Sequence, residues 1–292
     1  MFDSVVFYNS FGAGDVYESR EFIKEWMKLI PDKKYYYAHG KNPKIIRDIP
    51  EVTSIEVTPI MDSMRDAFEL DDTLYVNTWI GRDGKYILPG IGCTVEELYR
   101  MHNDILRRLG LGHLSGVPIN YIPRIDYSYY PDTANVDAFM KETPDWNEAI
   151  LIDNGLVQSN QAQNFDFNPI VVRLAEHYPD RLFITVQKIS GEFTNIISAD
   201  KIIRNTDGFD LTELAYLSHY CSCLIGRNSG PHVHMQNLEN CVDAEKKLAS
   251  FTYEATGSSF VVNTGVPIRK YWSPYENEEE TFRRCKEIID EQ

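Results

Sequence analysis

Short apolar runs alternate along the chain with segments whose apolar residues recur every three or four positions. In the first half, the runs that predict β-strands lie at residues 5–8, 34–38, 54–57 and 73–79. The segment at residues 18–30 predicts a helix with one apolar face, formed by Phe22, Ile23, Trp26, Met27 and Ile30. A capping-box pattern at residues 94–97 predicts the start of a second helix, which Gly110 ends.

The second half repeats this alternation. Its predicted strands lie at residues 149–152, 182–187, 222–225 and 259–262, and its predicted helices begin at Asn168, Asp210, His232 and Glu276. The stretch at residues 123–145 is rich in Tyr, Pro, Asp and Asn and shows no periodicity, so we expect it to connect two domains. Repeated β–α alternation predicts parallel, doubly wound α/β domains at residues 1–145 and 146–275, followed by a C-terminal helix at 276–292.

Composition narrows the classes of partner. The 292 residues carry a net charge of −15, whereas a nucleic-acid binder needs a basic surface, so we expect no nucleic-acid partner. No apolar run reaches the ~20 residues that cross a bilayer, and the N-terminus resembles a strand more than a signal peptide. Five scattered cysteines favour a reducing compartment. These features predict a cytoplasmic protein without a transmembrane segment.

Two glycine-rich turns, one in each half, carry the candidate chemistry. The turn in the second half lies between a predicted strand and a predicted helix and reads Gly226-Arg227-Asn228-Ser229-Gly230-Pro231-His232. Backbone N–H groups at such a helix start favour a phosphate. The turn in the first half reads Gly12-Ala13-Gly14-Asp15, and Tyr17 replaces the third glycine of the dinucleotide fingerprint, which argues against NAD. Asp15 is either a helix N-cap or a general base in a cleft.

The two turns, together with residues 210–217, resemble glycosyltransferase family nine, the heptosyltransferases of lipopolysaccharide synthesis. The resemblance implies the GT-B fold, in which two Rossmann-like domains flank a cleft. It also implies inverting transfer of a hexosyl or heptosyl group from a nucleotide-sugar to a glycan or glycolipid, without a metal or other cofactor. On this resemblance Asp15 is the catalytic base, while Asn228, Ser229, Gly230 and Pro231 bind the donor.

The chain departs from the family's pattern at two places in the donor site. The family usually has an acidic residue at the position of Asn228, and a basic residue in the loop that here reads Gln158-Ser159-Asn160-Gln161. Both departures remove charge. Arg227 and Lys188 are candidate replacements that could meet the diphosphate, although Arg227 could equally be ion-paired. Loop 158–164 offers neutral hydrogen bonds or is an ordinary polar loop, and His232 either donates to phosphate or lies in the core.

Polar residues after the strand at 73–79 predict an acceptor site in the first domain, beside Gly12, Ala13 and Gly14. Asn77, Trp79 and Arg82 are its candidates, with Trp79 stacking on a sugar ring unless it is a core residue. We expect no metal site, because the spacings of the candidate ligands do not suit zinc: His219, Cys221, Cys223, His232 and His234.

Two alternatives to a glycosyltransferase remain open on the sequence. One is a catalytically degenerate GT-B protein that binds a nucleotide or glycan, and the other is a nucleotide-sugar 2-epimerase. A 2-epimerase needs no acceptor, and a degenerate protein binds without consuming its ligand. An analysis of products therefore separates all three.

Overall fold

The computed structural model describes residues 2–62, 65–79, 94–143, 149–158, 162–204, 208–252 and 265–291. Its first half contains a five-stranded sheet in the order β3-β2-β1-β5-β4. All neighbouring strands in it are parallel except β4, which is antiparallel to β5. The strands are β1 (Ser4–Asn9), β2 (Lys34–His39), β3 (Val52–Ile55), β4 (Ala67–Leu70) and β5 (Thr73–Asn77).

The second half contains a six-stranded sheet in the order β11-β10-β9-β6-β7-β8, in which every described pairing is parallel. Its strands are β6 (Ala149–Ile152), β7 (Phe183–Thr185), β8 (Ile196–Ser198), β9 (Cys221–Arg227), β10 (Lys247–Phe251) and β11 (Arg269–Ser273). Because parallel strands require crossover connections, helices lie between them. Since the strands all run in the same direction, their carboxyl ends lie at one edge of the sheet.

Ten α-helices lie within the described ranges. They are α1 (Ala13–Glu18), α2 (Arg20–Leu29), α3 (Thr94–Arg108), α4 (Thr133–Glu142), α5 (Asn168–His177), α6 (Ala199–Ile203), α7 (Leu211–Leu217), α8 (Gly230–His234), α9 (Leu238–Val242) and α10 (Glu278–Asp290). None of the described helices combines the length and apolar character needed to cross a membrane.

The core lies on both faces of each sheet. Val5 and Phe7 of β1 pack with Trp26 of α2 on one face, while Val6 and Tyr8 pack in a smaller cluster on the other. All four residues of β6 are buried, as expected for a central parallel strand. Helix α10 packs against α5 and β10, so the C-terminal helix belongs with the second sheet.

Most predicted elements occur within a few residues of their predicted positions, with several differences. The predicted helix at 18–30 is confirmed as α2, and the short helix α1, which ends just before it at Glu18, was not predicted. The predicted helix at 232–238 is replaced by the short helices α8 and α9. Strands β4, β8, β10 and β11 were not predicted, and the predicted strand at 259–262 lies outside the described residues.

The connection at 123–145 is more structured than its composition suggested. It contains α4, which packs against α6 and α7 of the second half. The side chain of Asn135 donates to the carbonyl of Ile203 at 2.8 Å, and the hydroxyl of Tyr216 donates to Asp137 at the same distance. Residues 133–142 thus form a helix that was not predicted. The residue boundaries of the two domains stay a prediction.

Candidate active site

The first glycine-rich turn joins β1 to α1 and fixes the carboxylate of Asp15. Gly12 is the N-cap residue of α1, and its N–H donates to Oδ2 of Asp15 at 2.6 Å. Asp15 thus lies three positions inside the helix rather than at the N-cap, the position that the alternative interpretation gave it. A Cβ at position 12 would lie 2.9 Å from the same oxygen, so a larger residue there would shift the Asp15 carboxylate.

The electrostatic surroundings of Asp15 suit a general base. Burial raises its pKa from 3.8 to about 6, against the opposing effects of the Gly12 N–H, the Asp15 backbone N–H and Lys41. One turn further along α1, burial and the nearby carboxylates of Asp15 and Glu97 raise the pKa of Glu18 well above its usual value. Glu18 therefore favours its neutral form, which leaves Asp15 as the ionised member of the pair. The sequence analysis did not identify Glu18.

The second glycine-rich turn is anchored to the neighbouring strand end. Ser229 is the N-cap residue of α8, and its hydroxyl oxygen accepts from the N–H of His232 at 3.3 Å. The same hydroxyl donates to Asp153, the residue that follows β6. The other carboxylate oxygen of Asp153 accepts from the Gly155 N–H at 3.0 Å, and burial raises the pKa of Asp153. Asp153 therefore joins two strand ends, a role that the sequence did not reveal.

Arg227 occupies a different place from the one expected. Its side chain is fully buried, and its guanidinium donates to the carbonyls of Phe165 at 2.7 Å, of Asn154 at 3.1 Å and of Gly155. It also lies over the ring of Phe165. These contacts hold the loop after β6 in place. They correct the expectation that Arg227 meets the diphosphate, because the guanidinium has no exposed surface.

His232 takes the position of a core histidine. Its ring is fully buried against Gly226, where an added Cβ would lie 2.8 Å from Nδ1. Neither ring nitrogen has a hydrogen-bond partner among the described residues, and burial lowers the pKa to about 4. The ring is therefore neutral and turned inward, and it has no exposed surface to meet a phosphate. Asn228, Gly230 and Pro231 are partly exposed at the turn itself.

The two turns meet across the domains. A Cβ on Gly14 would lie 3.6 Å from the Cα of Gly230 and 3.5 Å from Cβ of Val233. Beside them, the ring of Tyr17 stacks on His234 with 4.1 Å between ring centroids. The two glycine-rich turns therefore lie at one junction, although they are more than 200 residues apart in the sequence.

An ion pair joins the two halves beside this junction. Nζ of Lys44, which follows β2, lies 2.6 Å from Oε1 of Glu213 in α7, and both side chains are fully buried. Asp210 is the N-cap residue of α7, but its side chain makes no capping hydrogen bond. Asp210 and Glu213 therefore do not form a capping box, although the pattern at residues 210–213 is typical of one, and the carboxylate of Glu213 faces Lys44 instead.

Lys188 borders a cavity of about 280 Å³ at the carboxyl ends of β7 and β8, together with Thr185, Ser198 and Lys201. Both lysines are exposed, whereas the Thr185 hydroxyl is buried without a hydrogen-bond partner among the described residues. The cavity thus brings two lysines and Glu192 to these strand ends, of which only Lys188 was predicted from the sequence.

The remaining candidates are distributed as follows. Gln158 is exposed, while Ser159, Asn160, Gln161 and Arg82 lie outside the described residues. Asn77 is buried at the end of β5, and its Oδ1 accepts from the N–H of Trp79 at 2.9 Å. Trp79 is partly exposed and its ring lies beside Phe11, so it is not a fully buried core tryptophan. Ala13 is partly exposed and Gly14 is buried between the domains.

The histidines and cysteines considered as metal ligands are dispersed. Within the described ranges, no three His, Cys, Asp or Glu side chains are grouped as a metal site would need. Cys221 and Cys223 are buried in β9, and burial raises the pKa of each thiol to about 12.

No protein-family model matches the sequence, and no curated protein matches it either. Solved structures do match. A glycosyl transferase of family 9 from Veillonella parvula DSM 2008 aligns over 98% of this chain and 97% of its own, with 12% identity and a TM-score of 0.55. The E. coli heptosyltransferase WaaC with ADP-2-deoxy-2-fluoro heptose aligns over 98% and 99%, with 10% identity and a TM-score of 0.53.

At identities this low, the likeness shows the fold. The chain has the GT-B fold, with two Rossmann-like sheets and the glycine-rich turns at the junction between them. The predicted fold class is confirmed, and so is the resemblance to family nine at the level of the fold.

Proposed function

We propose that this protein is an inverting glycosyltransferase that moves a sugar from a nucleotide-sugar to a hydroxyl of a glycan or glycolipid. The observation that carries the proposal is the meeting of the two glycine-rich turns. Gly14, the residue before Asp15, lies against Gly230 of the second turn, and burial raises the pKa of Asp15 to about 6. A general base is most effective when its pKa lies near the working pH.

In the proposed reaction, the carboxylate of Asp15 takes the proton of the acceptor hydroxyl as its oxygen attacks the anomeric carbon. The bond from that carbon to the diphosphate oxygen breaks, and the nucleoside diphosphate leaves with the bonding electrons. A single displacement of this kind inverts the anomeric configuration. We propose that it uses no metal or cofactor besides the nucleotide-sugar co-substrate.

The donor is proposed to lie along the carboxyl ends of the second sheet. Helix α8 has only five residues, so its dipole alone is a weak anion site. Lys188 and Lys201 supply positive charge at β7 and β8. Strand β7 is two strands from β9, or about 10 Å, which a nucleoside diphosphate can span. We infer that these lysines take the role that the sequence analysis gave to Arg227.

The test is a transfer assay with a panel of nucleotide-sugars and glycan acceptors. Asp15→Asn keeps the size of the side chain but removes the base, and we expect turnover to fall by about 100-fold to 10,000-fold with donor binding retained. Asp180→Asn is the matched control, because Asp180 is exposed and lies before β7, at the opposite edge of the sheet. Normal turnover in Asp15→Asn would refute the proposed base.

The same assay distinguishes the two alternatives. Consumption of the donor without an acceptor, with an epimerised sugar as product, identifies a 2-epimerase. Saturable binding of a nucleotide-sugar without any product identifies a catalytically degenerate protein.

A further inference from the structure

Two neighbouring strands of the first sheet end in the same local structure. β1 ends in Asn9-Ser10-Phe11, and its parallel neighbour β5 ends in Asn77-Thr78-Trp79. In each, the asparagine Oδ1 accepts from the N–H of the aromatic residue two positions later, at 2.9 Å. Both asparagines are buried, so each amide fixes the direction in which the chain leaves its strand.

The repeated structure places two aromatic rings side by side. The ring centroids of Phe11 and Trp79 lie 5.6 Å apart, with 41° between the ring planes. Phe11 is 38% exposed and Trp79 is partly exposed. Large aromatic side chains are usually buried, so a partly exposed pair whose backbones are fixed by two buried amides is uncommon, although Trp79 also packs against the main hydrophobic core. We call Phe11 and Trp79 the aromatic platform.

The aromatic platform adjoins the proposed base. Phe11 directly precedes Gly12, whose N–H holds the carboxylate of Asp15. Both platform residues follow strand ends at the carboxyl edge of the sheet, where ligands of open α/β folds bind. A molecule lying on the platform would therefore have its edge near Asp15.

Charge limits what that molecule can be. Asp15 supplies the ionised carboxylate of this turn, since Glu18 favours its neutral form, and Lys41 is the cation that acts on Asp15. The chain as a whole carries −15. An anionic ring would be repelled here. A neutral pyranose instead has one face of C–H groups, which packs on the negative face of an aromatic ring and is removed from water.

We propose that the aromatic platform is the acceptor subsite and that it selects an uncharged pyranose, stacked on Phe11 and Trp79 with a hydroxyl directed at Asp15. The proposal rests on the glycosyl transfer proposed above and adds the class of acceptor. It makes Phe11 and Trp79 specificity-determining residues.

Saturation-transfer NMR tests the platform without requiring turnover. The probes are methyl β-D-glucopyranoside, methyl β-D-galactopyranoside and methyl α-D-mannopyranoside, with methyl β-D-glucuronide as the anionic counterpart. We expect saturation to reach mainly the C–H protons of one ring face, and the glucuronide to bind about tenfold more weakly than the glucoside.

Variants assign the binding to the platform. Phe11→Ala and Trp79→Ala should each weaken binding of the neutral glycosides by about tenfold, while Trp79→Phe should retain most of it. Tyr129→Ala is the matched control, since Tyr129 is 39% exposed and lines a different pocket, together with Asp48 and Arg124. Unchanged binding in both alanine variants overturns the platform, as does a preference for the glucuronide or the absence of binding by every neutral glycoside.

The outcomes separate this inference from the proposed function. If no nucleotide-sugar is consumed while the glycosides bind to the platform, the proposed function fails and the subsite stands. If transfer occurs but the KM for acceptor is unchanged in Phe11→Ala and Trp79→Ala, the subsite fails and the proposed function stands.

Discussion

The buried ion pair between Lys44 and Glu213 predicts a large stability change when one partner is removed. Nζ of Lys44 lies 2.6 Å from Glu213 and 3.7 Å from Asp132, and it donates to the carbonyl of Phe209 at 3.0 Å. Burial raises the pKa of Glu213, whereas Lys44 lowers it. Lys44→Met removes the cation and leaves the Glu213 carboxyl buried between the domains. Removing one partner of such a pair costs about 3–5 kcal/mol.

The expected cost lies toward the lower end of that range, because Glu213 can take up a proton once its partner is gone. The free energy of unfolding of the double variant Lys44→Met/Glu213→Gln should lie within about 1–2 kcal/mol of that of the native protein, since neither side chain then carries a charge. Urea denaturation followed by circular dichroism gives the free energy of unfolding of each single variant and of the double, and hence the coupling energy.

The matched control is Lys28→Met. Lys28 pairs with Glu25 at 3.1 Å but is 73% exposed, so its removal should cost less than about 1 kcal/mol. A similarly small cost for Lys44→Met would refute the reasoning. So would a double variant that loses the sum of the two single losses, because the two side chains would then act independently.

Four further predictions concern Asp15, Arg227 and Gly14. Because Asp15 must be ionised to act, kcat/KM should rise with pH up to about 6 and then level, and a profile already flat from about pH 5 would contradict this. Because the pKa of Asp15 is raised in the folded protein, Asp15 contributes stability that is fully present below its usual pKa of 3.8. This stability is lost as the pH rises through about 6, and urea midpoints of wild type and Asp15→Asn measured across that range should show the loss. Arg227→Met leaves buried carbonyls unpaired, so it should lower the free energy of unfolding by about 2–3 kcal/mol and speed hydrogen exchange in the loop after β6. If the variant lost donor affinity but no stability, Arg227 would instead bind the diphosphate. Gly14→Ala should be tolerated, since its Cβ would lie 3.5 Å from Val233. Gly14→Leu should separate the two turns and reduce turnover by about 100-fold. Equal turnover in the two variants would contradict the close contact.

The sequence predicted the elements whose pattern is local. The buried runs of β1 and β6 and the apolar face of α2 follow directly from residue type and spacing. Helix α4 was missed because Val136 is its only buried residue among those described, so it has little apolar periodicity. The edge strands β4 and β8 are short and incompletely buried, and their residues alone do not distinguish them from loops.

The two turns of the candidate site were predicted, but their surroundings were not. Whether Arg227 points into the cleft or beneath the loop depends on carbonyls of Asn154 and Phe165 that fold beside it. The partners of Asp153 and Lys44 are likewise distant in sequence, as is Glu97, which acts on Glu18. Local patterns identify candidate groups, whereas burial and long-range partners decide their protonation and role.

The proposed mechanism is tested most directly by the anomeric configuration of the product. The wild-type protein transfers sugar from an α-linked nucleotide-sugar in excess EDTA, and proton NMR monitors the anomeric protons during the reaction. We expect a β-linked glycoside, formed at the same rate with and without EDTA, because a single displacement assisted by Asp15 inverts the anomeric carbon and needs no metal. An α-linked product, or a rate abolished by EDTA, would contradict it.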